Sequence, residues 1–345
     1  MKRDEKPGGG NMGSWSVFFL FCMGLIMIIK GGDWFVESAV WVAKVTGVPN
    51  VLIGATIVSI ATTLPELLVS VIATQQHYYD VAIGNVIGSM ICNVGLILGL
   101  TTLFSPIKLN RSGFAIRGFF MLGSTALMLF FLRDRMISPR EGTWFIVLFT
   151  IYILINLQEF NKNQKRVPHV LNQEQDVPQG SASKKIIMFI VGAVFIALGA
   201  RLLVNNGVII ANILGVPEQV VSLTLIALGT SLPELTTAIS SVVKGHQGIS
   251  VGNILGANIL DIVMVLGLSS KIGSQGIVIS YQNVMLGATI YNIPQTLYLD
   301  LPVTLLMMGV LVFGGLLTGK INRVIGFLIF SIYGIYLIAL AKLFM

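Results

Sequence analysis

The chain has 345 residues, of which 54% are hydrophobic and 11% are charged, with a mean hydropathy of +0.85 and a formal net charge of +7. Soluble domains carry about 25% charged residues, so this composition predicts a polytopic membrane protein embedded in a lipid bilayer and excludes a soluble globular domain. The positive charge does not indicate nucleic-acid binding, because the basic residues lie between apolar runs rather than in one stripe.

Apolar runs of roughly 20 residues each predict an all-α membrane protein with about ten transmembrane helices. In chain order the runs are 15–43, 49–74, 81–104, 114–133, 142–159, 185–212, 218–243, 249–270, 299–318 and 322–343. The first, second, sixth and seventh are long or interrupted by Gly, Pro and polar residues, which predicts bent or broken helices. Cys22 and Cys92 both lie in apolar runs and indicate neither a disulfide framework nor a metal cluster.

A hydrophilic segment at 161–184 separates two halves, predicted as repeats at 14–160 and 185–345. Five spans per half is an odd number, so the second half must enter the membrane from the opposite side, and the halves form two inverted-topology repeats of five helices. The loops on one side hold twelve Lys and Arg residues and those on the other side hold eight. This bias predicts a cytoplasmic 161–184 loop and both termini outside.

Two motifs occur once in each half. The first is ATTLPEL at 61–67 and GTSLPEL at 229–235; the second is GNVIGSMICN at 84–93 and GNILGANILD at 252–261. Equivalent positions are 168 residues apart throughout, as 66 is from 234 and 93 is from 261. The duplication places one carboxylate of the first motif in a membrane span of each half.

Glu66 and Glu234 are those carboxylates, and a bare carboxylate at the centre of a membrane helix costs roughly 2.5–3.5 kcal/mol. A purely structural role would require a basic partner. Lys30 and Arg201 are the basic residues well inside spans, and Lys30 could instead pair with Asp33 or extend to an interface. The duplicated acids therefore predict ion binding.

Hydroxyl groups accompany each acid at helical spacing. Pro65 and Pro233 remove a backbone donor, which predicts freed carbonyls in the preceding turn. Calcium and sodium prefer such oxygen ligands. The alternatives are a Thr hydroxyl bonded to its own backbone and a Gly-Asn motif that serves helix packing. The candidate ligands around the proline breaks are Ser59, Thr62, Thr63, Glu66, Thr230, Ser231 and Glu234, and those of the second motif are Ser89, Asn93 and Asp261.

The paired Leu-Pro-Glu and Gly-Asn motifs resemble the α-repeats of the calcium/cation antiporter superfamily, specifically the prokaryotic sodium/calcium exchangers. The α-repeats would lie near 45–102 and 213–270. The resemblance implies a central metal site that holds one calcium or several sodium ions, with Ala227 adding a carbonyl to the candidate ligands above. Two departures are Ala61, where the family has glycine, and Ala257, which lacks the hydroxyl of Ser89.

The resemblance implies a secondary antiporter in a prokaryotic inner membrane, exchanging sodium for calcium by alternating access at a midplane carboxylate site. A proton/calcium exchanger and a potassium-dependent sodium/calcium exchanger stay open, the latter because Asp261 matches an acid of potassium-dependent relatives. No cofactor is expected besides the transported Ca²⁺ and Na⁺, with K⁺ or H⁺ as alternatives. The sequence leaves the stoichiometry and the oligomeric state undetermined.

Other classes fit less well. An intramembrane hydrolase would need paired Asp or a Ser/His pair, and His77, His169 and His246 are dispersed in loops, so no enzyme activity is expected. A passive channel is disfavoured by the inverted repeat with broken helices. Most of a phosphate-binding loop occurs at 314–321, but Ile321 replaces the required Ser or Thr, so ATP use is not expected.

Overall fold

Helices account for most of the computed structural model, which describes residues 14–45, 58–166, 181–243, 247–286 and 289–344. The first half contains helices α1 to α6. They are α1 Ser14–Val45, α2 Val58–Thr62, α3 Leu64–Gln75, α4 Tyr79–Ile91 with a π-helical segment Cys92–Leu98 and a last part Gly99–Phe104, α5 Arg111–Phe131 followed by a 3₁₀ turn Leu132–Asp134, and α6 Pro139–Arg166.

The second half repeats this order of elements. Its helices are α7 Ala182–Leu214, α8 Glu218–Thr230 with a π-helical segment Ser222–Ile226, α9 Leu232–Val243, α10 Gln247–Leu260 continued by a π-helical segment Asp261–Leu266 and by Gly267–Ile272, α11 Leu301–Thr318 preceded by a π-helical turn Thr296–Asp300, and α12 Arg323–Phe344. The π-helical segments of α4 and α10 begin at positions 92 and 261, which is nearly the offset of the sequence motifs.

Eight of the described helices are long and apolar enough to cross a membrane, and the pair α8 and α9, bent by 45°, adds a ninth span. The chain is therefore a nearly all-helical, multi-pass integral membrane protein. The second predicted span, 49–74, falls partly on 46–57, which lies outside the described residues. The count of ten stays a prediction.

Helices α1 and α7 correct one prediction, because both are unbroken although their glycines indicated bends. The glycines instead permit close packing between these two helices. A Cβ at Gly24 would lie 3.0 Å from the carbonyl oxygen of Gly199, and one at Gly31 would lie 2.8 Å from that of Gly192. Small residues at these crossings let the two backbones touch, as is common in membrane helix pairs.

The hydrophilic segment is shorter than predicted at its described ends. Helix α6 continues to Arg166, and α7 begins at Ala182. The residues that extend α6 include Lys, Gln and Arg, which propagate a helix well outside an apolar environment. Residues 167–180 lie outside the described part of the chain.

Short antiparallel strands join the loops of the two halves. Strand β1 (Ile107–Lys108) pairs with β6 (Lys320–Ile321), with Ile107 opposite Ile321. Strand β2 (Met136–Ile137) pairs with β3 (Ile277–Val278), with Ile137 opposite Ile277. A hairpin of β4 (Gln282–Leu286) and β5 (Thr289–Ile293) precedes α11.

Helices α4 and α10 form the centre of the molecule. About nine tenths of each apolar span is buried inside the protein, whereas at most 39% of any other long span is buried. The remaining helices therefore present most of their surface to lipid. The proline-broken segments α2–α3 and α8–α9 pack against this central pair, which brings both sequence motifs of each half together.

Candidate functional site

The two proline motifs break their helices at equivalent points. Helix α2 ends at Thr62 and α3 begins at Leu64, while α8 ends at Thr230 and α9 begins at Leu232. Each new helix carries proline as its second residue, because proline lacks the donor for the hydrogen bond that would continue the helix. Glu66 and Glu234 therefore lie in the first turns of α3 and α9, where the helix dipole favours negative charge.

Glu66, Glu234 and Asp261 are each 1% exposed and lie close enough together for mutual electrostatic repulsion. Both carboxylate oxygens of Glu234, both of Asp261 and Oε2 of Glu66 have no hydrogen-bond donor among the described residues. Oε1 of Glu66 accepts a long hydrogen bond of 3.4 Å from the hydroxyl of Ser231. Buried carboxylates with this much unused acceptor capacity are suited to cations.

No basic side chain in the described part of the chain pairs with these three acids. The ion pairs found there join Lys30 to Asp33 at 3.9 Å and Lys185 to Glu37 at 2.5 Å. The Lys30 pair is more than half exposed, so the predicted alternative for this lysine is confirmed. The buried negative charge thus has no protein counter-charge within these residues.

The hydroxyls next to the breaks donate to the preceding turn. Thr62 and Thr63 lie 3.2 and 2.8 Å from the carbonyl oxygen of Ser59, and Thr230 lies 3.2 Å from that of Ala227. A hydroxyl that donates backwards keeps its oxygen lone pairs available to a ligand. The backbone alternative and an ion-facing role are therefore compatible.

Each threonine also faces the acid of the opposite half. The Thr62 hydroxyl lies near the Glu234 carboxylate, and the Thr230 hydroxyl lies near that of Glu66. This crossed arrangement brings oxygens of both motif copies to one place, as the offset of 168 residues predicts.

The two predicted carbonyl positions are occupied by internal hydrogen bonds. The Ala227 carbonyl accepts from the Ser231 amide at 3.0 Å as well as from Thr230, and the Ser59 carbonyl accepts from the Thr63 amide at 3.0 Å. The Ser59 hydroxyl donates to Oδ1 of Asn253 at 2.9 Å. Carbonyl ligation at Ala227 would therefore require a rearrangement of this turn.

The second motif supplies oxygens from α4 and α10. The Ser89 hydroxyl lies 3.3 Å from that of Thr230, so this predicted ligand joins the other half of the site. Nδ2 of Asn93 donates to Oδ1 of Asn258 at 3.0 Å, which leaves Oδ1 of Asn93 without a donor among the described residues. Asn93 and Asp261 lie at the starts of π-helical segments, where a widened turn changes the direction of side chains.

Three asparagines of the second motif were missed as functional candidates. Asn85 is fully buried and contacts three groups: it accepts from Thr230 at 3.2 Å, and it donates to the Glu66 carbonyl at 3.2 Å and to the Ser70 hydroxyl at 3.0 Å. Asn253 accepts from Ser59, and Asn258 accepts from Asn93. The duplication of Asn85 at position 253 was the signal in the sequence, but the motif was interpreted as helix packing.

The chemistry of the site is that of hard oxygen ligands. No group of three or more His, Cys, Asp or Glu side chains in the described part of the chain has a metal-holding arrangement. Ion coordination here would therefore combine carboxylates with hydroxyl and amide oxygens. Such mixed oxygen sets suit Na⁺ and Ca²⁺ rather than zinc or copper.

The sequence model of the family described as "Sodium/calcium exchanger protein" matches residues 16–158 and 184–342, which is most of the chain. The chain belongs to the sodium/calcium exchanger family. The resemblance predicted from the duplicated motifs is thereby confirmed.

Known relatives agree with this assignment. The sodium/calcium exchanger MaX1 of Methanosarcina acetivorans is 33% identical over 73% of this chain and 82% of its own length. The inner membrane protein YrbG of Escherichia coli is 34% identical over 73% of this chain and 79% of its own length. A solved structure of the sodium-calcium exchanger NCX_Mj, soaked with Na⁺ and Sr²⁺, superimposes with a TM-score of 0.62 at 28% identity and covers 95% of this chain and 99% of that one.

Proposed function

We propose that this member of the family is a secondary antiporter that exchanges sodium for calcium by alternating access. The observation that carries the proposal is the pair of buried carboxylates, Glu66 and Glu234, contributed by opposite halves and lacking a basic partner in the described residues. The names of MaX1 and NCX_Mj support the same ion pair. Ca²⁺ and Na⁺ are thus the transported substrates, and the protein catalyses no chemical reaction.

The proposed ligand set follows the predicted residues and adds those found in the structure. Glu66 and Glu234 supply the charge. The hydroxyl and amide oxygens that surround them are those of Ser59, Thr62, Thr63, Ser89, Asn93, Thr230 and Ser231, with Asn85 and Asn253 holding the hydroxyls in place.

Obligatory exchange follows from charge. One Ca²⁺ ion neutralises two carboxylates, and so do two Na⁺ ions, whereas two unpaired carboxylates in the membrane are costly. A conformational change with an empty site is therefore disfavoured, which couples the two ion flows. If more than two Na⁺ ions move per Ca²⁺, each extra charge contributes about 2.3 kcal/mol per 100 mV of membrane potential.

The proposed location is a prokaryotic inner membrane, with both termini outside. The bias of Lys and Arg towards one set of loops supports this orientation. The name of YrbG, an inner membrane protein, supports the location.

A potassium-dependent exchanger is the second candidate, and Asp261 favours it. This residue replaces the asparagine of the first half, and both of its carboxylate oxygens lack a donor among the described residues. An ionised Asp261 would be a third negative charge in one site and would require a proton or an additional cation.

The test is ⁴⁵Ca²⁺ uptake into proteoliposomes under an imposed Na⁺ gradient, with K⁺ present or absent and pH clamped. Glu66→Gln and Glu234→Gln should each abolish uptake while the protein remains inserted and monodisperse, because each change removes one of two required charges. Glu37→Gln is the matched control, since Glu37 is a largely exposed acid on α1 that pairs with Lys185. Normal uptake by either well-folded site variant would contradict the proposal.

A further inference from the structure

A second buried polar cluster lies where the beginnings of α8 and α11 meet α12. We call it the Asp300 cluster, and it consists of Gln219, Gln295, Thr296, Asp300 and Tyr336. The first four residues are 0% exposed and Tyr336 is 2% exposed. The predicted ion site includes none of them, although a buried acid in a membrane helix requires an explanation.

The Asp300 carboxylate accepts three hydrogen bonds from neutral donors. Gln219 Nε2 donates to Oδ2 at 2.8 Å, while Gln295 Nε2 and the Tyr336 hydroxyl donate to Oδ1 at 3.1 and 2.9 Å. No ion pair reaches Asp300 in the part of the chain that the structure describes. Three neutral donors satisfy the carboxylate oxygens but leave the formal negative charge without a counter-charge.

The two glutamines each retain an unused acceptor. Oε1 of Gln219 and Oε1 of Gln295 are buried and have no donor among the described residues. Each belongs to an amide whose nitrogen already contacts Asp300, so a half-turn of the amide exchanges nitrogen for oxygen at that contact. The carboxylate would then face two amide oxygens.

This second arrangement requires a cation. Oxygens of Asp300, Gln219 and Gln295 repel one another unless positive charge lies between them. The hydroxyls of Thr296 and Tyr336 lie in the same cluster and complete an all-oxygen ligand set. One carboxylate balances one monovalent charge, whereas a divalent ion would leave a net positive charge buried.

The Asp300 cluster is separate from the exchange site but shares a helix with it. Gln219 and Thr230 both belong to α8, eleven positions apart, which is about 16 Å along an α-helix at a rise of 1.5 Å per residue. The Gln219 carbonyl oxygen also lies against Gly84, next to Asn85 of the exchange site, at 3.1 Å from a Cβ placed there.

We propose that the Asp300 cluster binds one monovalent metal cation, Na⁺ or K⁺, at a site distinct from the exchange site. The bound ion is coordinated by Asp300, with the two glutamines turned so that their oxygens face it. It joins the beginning of α8 to α11 and α12. This inference does not rest on sodium/calcium exchange, because the cluster contains none of the residues assigned to that function.

The experiment uses purified full-length protein whose exchange site is disabled by Glu66→Gln, Glu234→Gln and Asp261→Asn together. Equilibrium binding of ²²Na⁺ and of ⁸⁶Rb⁺, a substitute for K⁺, is measured in detergent by scintillation proximity. The triple variant should bind one ion per chain saturably with one of the two isotopes, and competition by unlabelled NaCl and KCl identifies which cation is preferred. Adding Asp300→Asn should abolish this binding.

Asp80→Asn in the same background is the matched control. Asp80 is a mostly buried acid that accepts hydrogen bonds from the Ser280 amide and from Gln282, both at 3.2 Å, and it is not part of the cluster. This control should bind the ion as the triple variant does.

A second variant covers the case in which Asp300→Asn does not fold. Gln295→Leu keeps the carboxylate and removes one amide oxygen, so it should weaken binding about tenfold, as expected for the loss of one interaction with a charged group. Three results would overturn the proposal: no saturable binding by the triple variant, including the case where Asp300 takes up only a proton; binding that survives both changes in the cluster; or binding lost equally with Asp80→Asn.

Discussion

Gly88→Ala tests whether the close contact of α4 with α8 holds the exchange site together. A Cβ at Gly88 would lie 2.6 Å from the Cβ of Ala227 and 2.6 Å from the carbonyl oxygen of Leu223. Ordinary contacts begin at 3.4 Å, so the two helices would have to separate by about 0.8 Å. Such a separation would also part the Ser89 and Thr230 hydroxyls, now 3.3 Å apart.

The expected loss of stability is about 2 kcal/mol. Overpacking of a tight core costs about 1–3 kcal/mol, and we expect the upper end because a backbone oxygen cannot turn aside. Replacing a helical glycine by alanine returns up to about 1 kcal/mol of helix propensity. The functional consequence should be a clear loss of Na⁺-driven ⁴⁵Ca²⁺ uptake.

The chain provides matched controls in its own repeat. Gly256 occupies the position equivalent to Gly88, and a Cβ there would meet the hydroxyls of Ser59 at 3.0 Å and Tyr152 at 3.3 Å, which are side-chain ends that can move. A Cβ at Gly252 would have no neighbour within 4 Å, so Gly252→Ala reports helix propensity alone. We expect stability to fall in the order Gly252→Ala, Gly256→Ala, Gly88→Ala.

The assay is thermal unfolding of purified protein in detergent, followed by intrinsic fluorescence, together with uptake in proteoliposomes. If Gly88→Ala unfolds at the same temperature as Gly252→Ala and transports normally, the close approach of α4 and α8 does not stabilise the site, and the reasoning is refuted.

Three further predictions concern the site and its orientation. Asp261→Asn should retain Na⁺-driven ⁴⁵Ca²⁺ uptake without a K⁺ requirement before or after the change; wild-type uptake that needs K⁺, with the need removed by the variant, would instead identify a potassium-dependent exchanger. Asn85→Leu should lose about 1–3 kcal/mol of stability and raise the Ca²⁺ concentration for half-maximal uptake, because it removes the three hydrogen bonds at Thr230, Glu66 and Ser70; unchanged uptake kinetics and stability would show that the amide is not needed. A cysteine at Gln173, with Cys22 and Cys92 replaced, should react with a membrane-impermeant thiol reagent only after cells are permeabilised, whereas labelling of intact cells would invert the topology.

The sequence by itself determined the class, the family and the acids at the centre of the site. Composition alone requires a membrane protein, because 11% charged residues cannot cover a soluble domain of this size. The offset of 168 residues between Glu66 and Glu234 indicated one shared site, since a duplicated acid in hydrocarbon is too costly to arise from packing alone. Proline at the second position of α3 and α9 likewise predicted both helix breaks.

Only the tertiary structure decided which polar atoms meet. Asn85 was interpreted as a packing residue because its own helix offers it no reason to bind an ion site, yet its partner Thr230 lies 145 positions further along the chain. The glycines of α1 predicted a bend by local rules, but they serve contact with α7. Asp300 is assembled with Gln219 and Tyr336 from three helices that have no common motif. Local pattern reports the period and the breaks of one helix, whereas hydrogen-bond partners between helices depend on how the two halves pack, and no spacing along the chain encodes that.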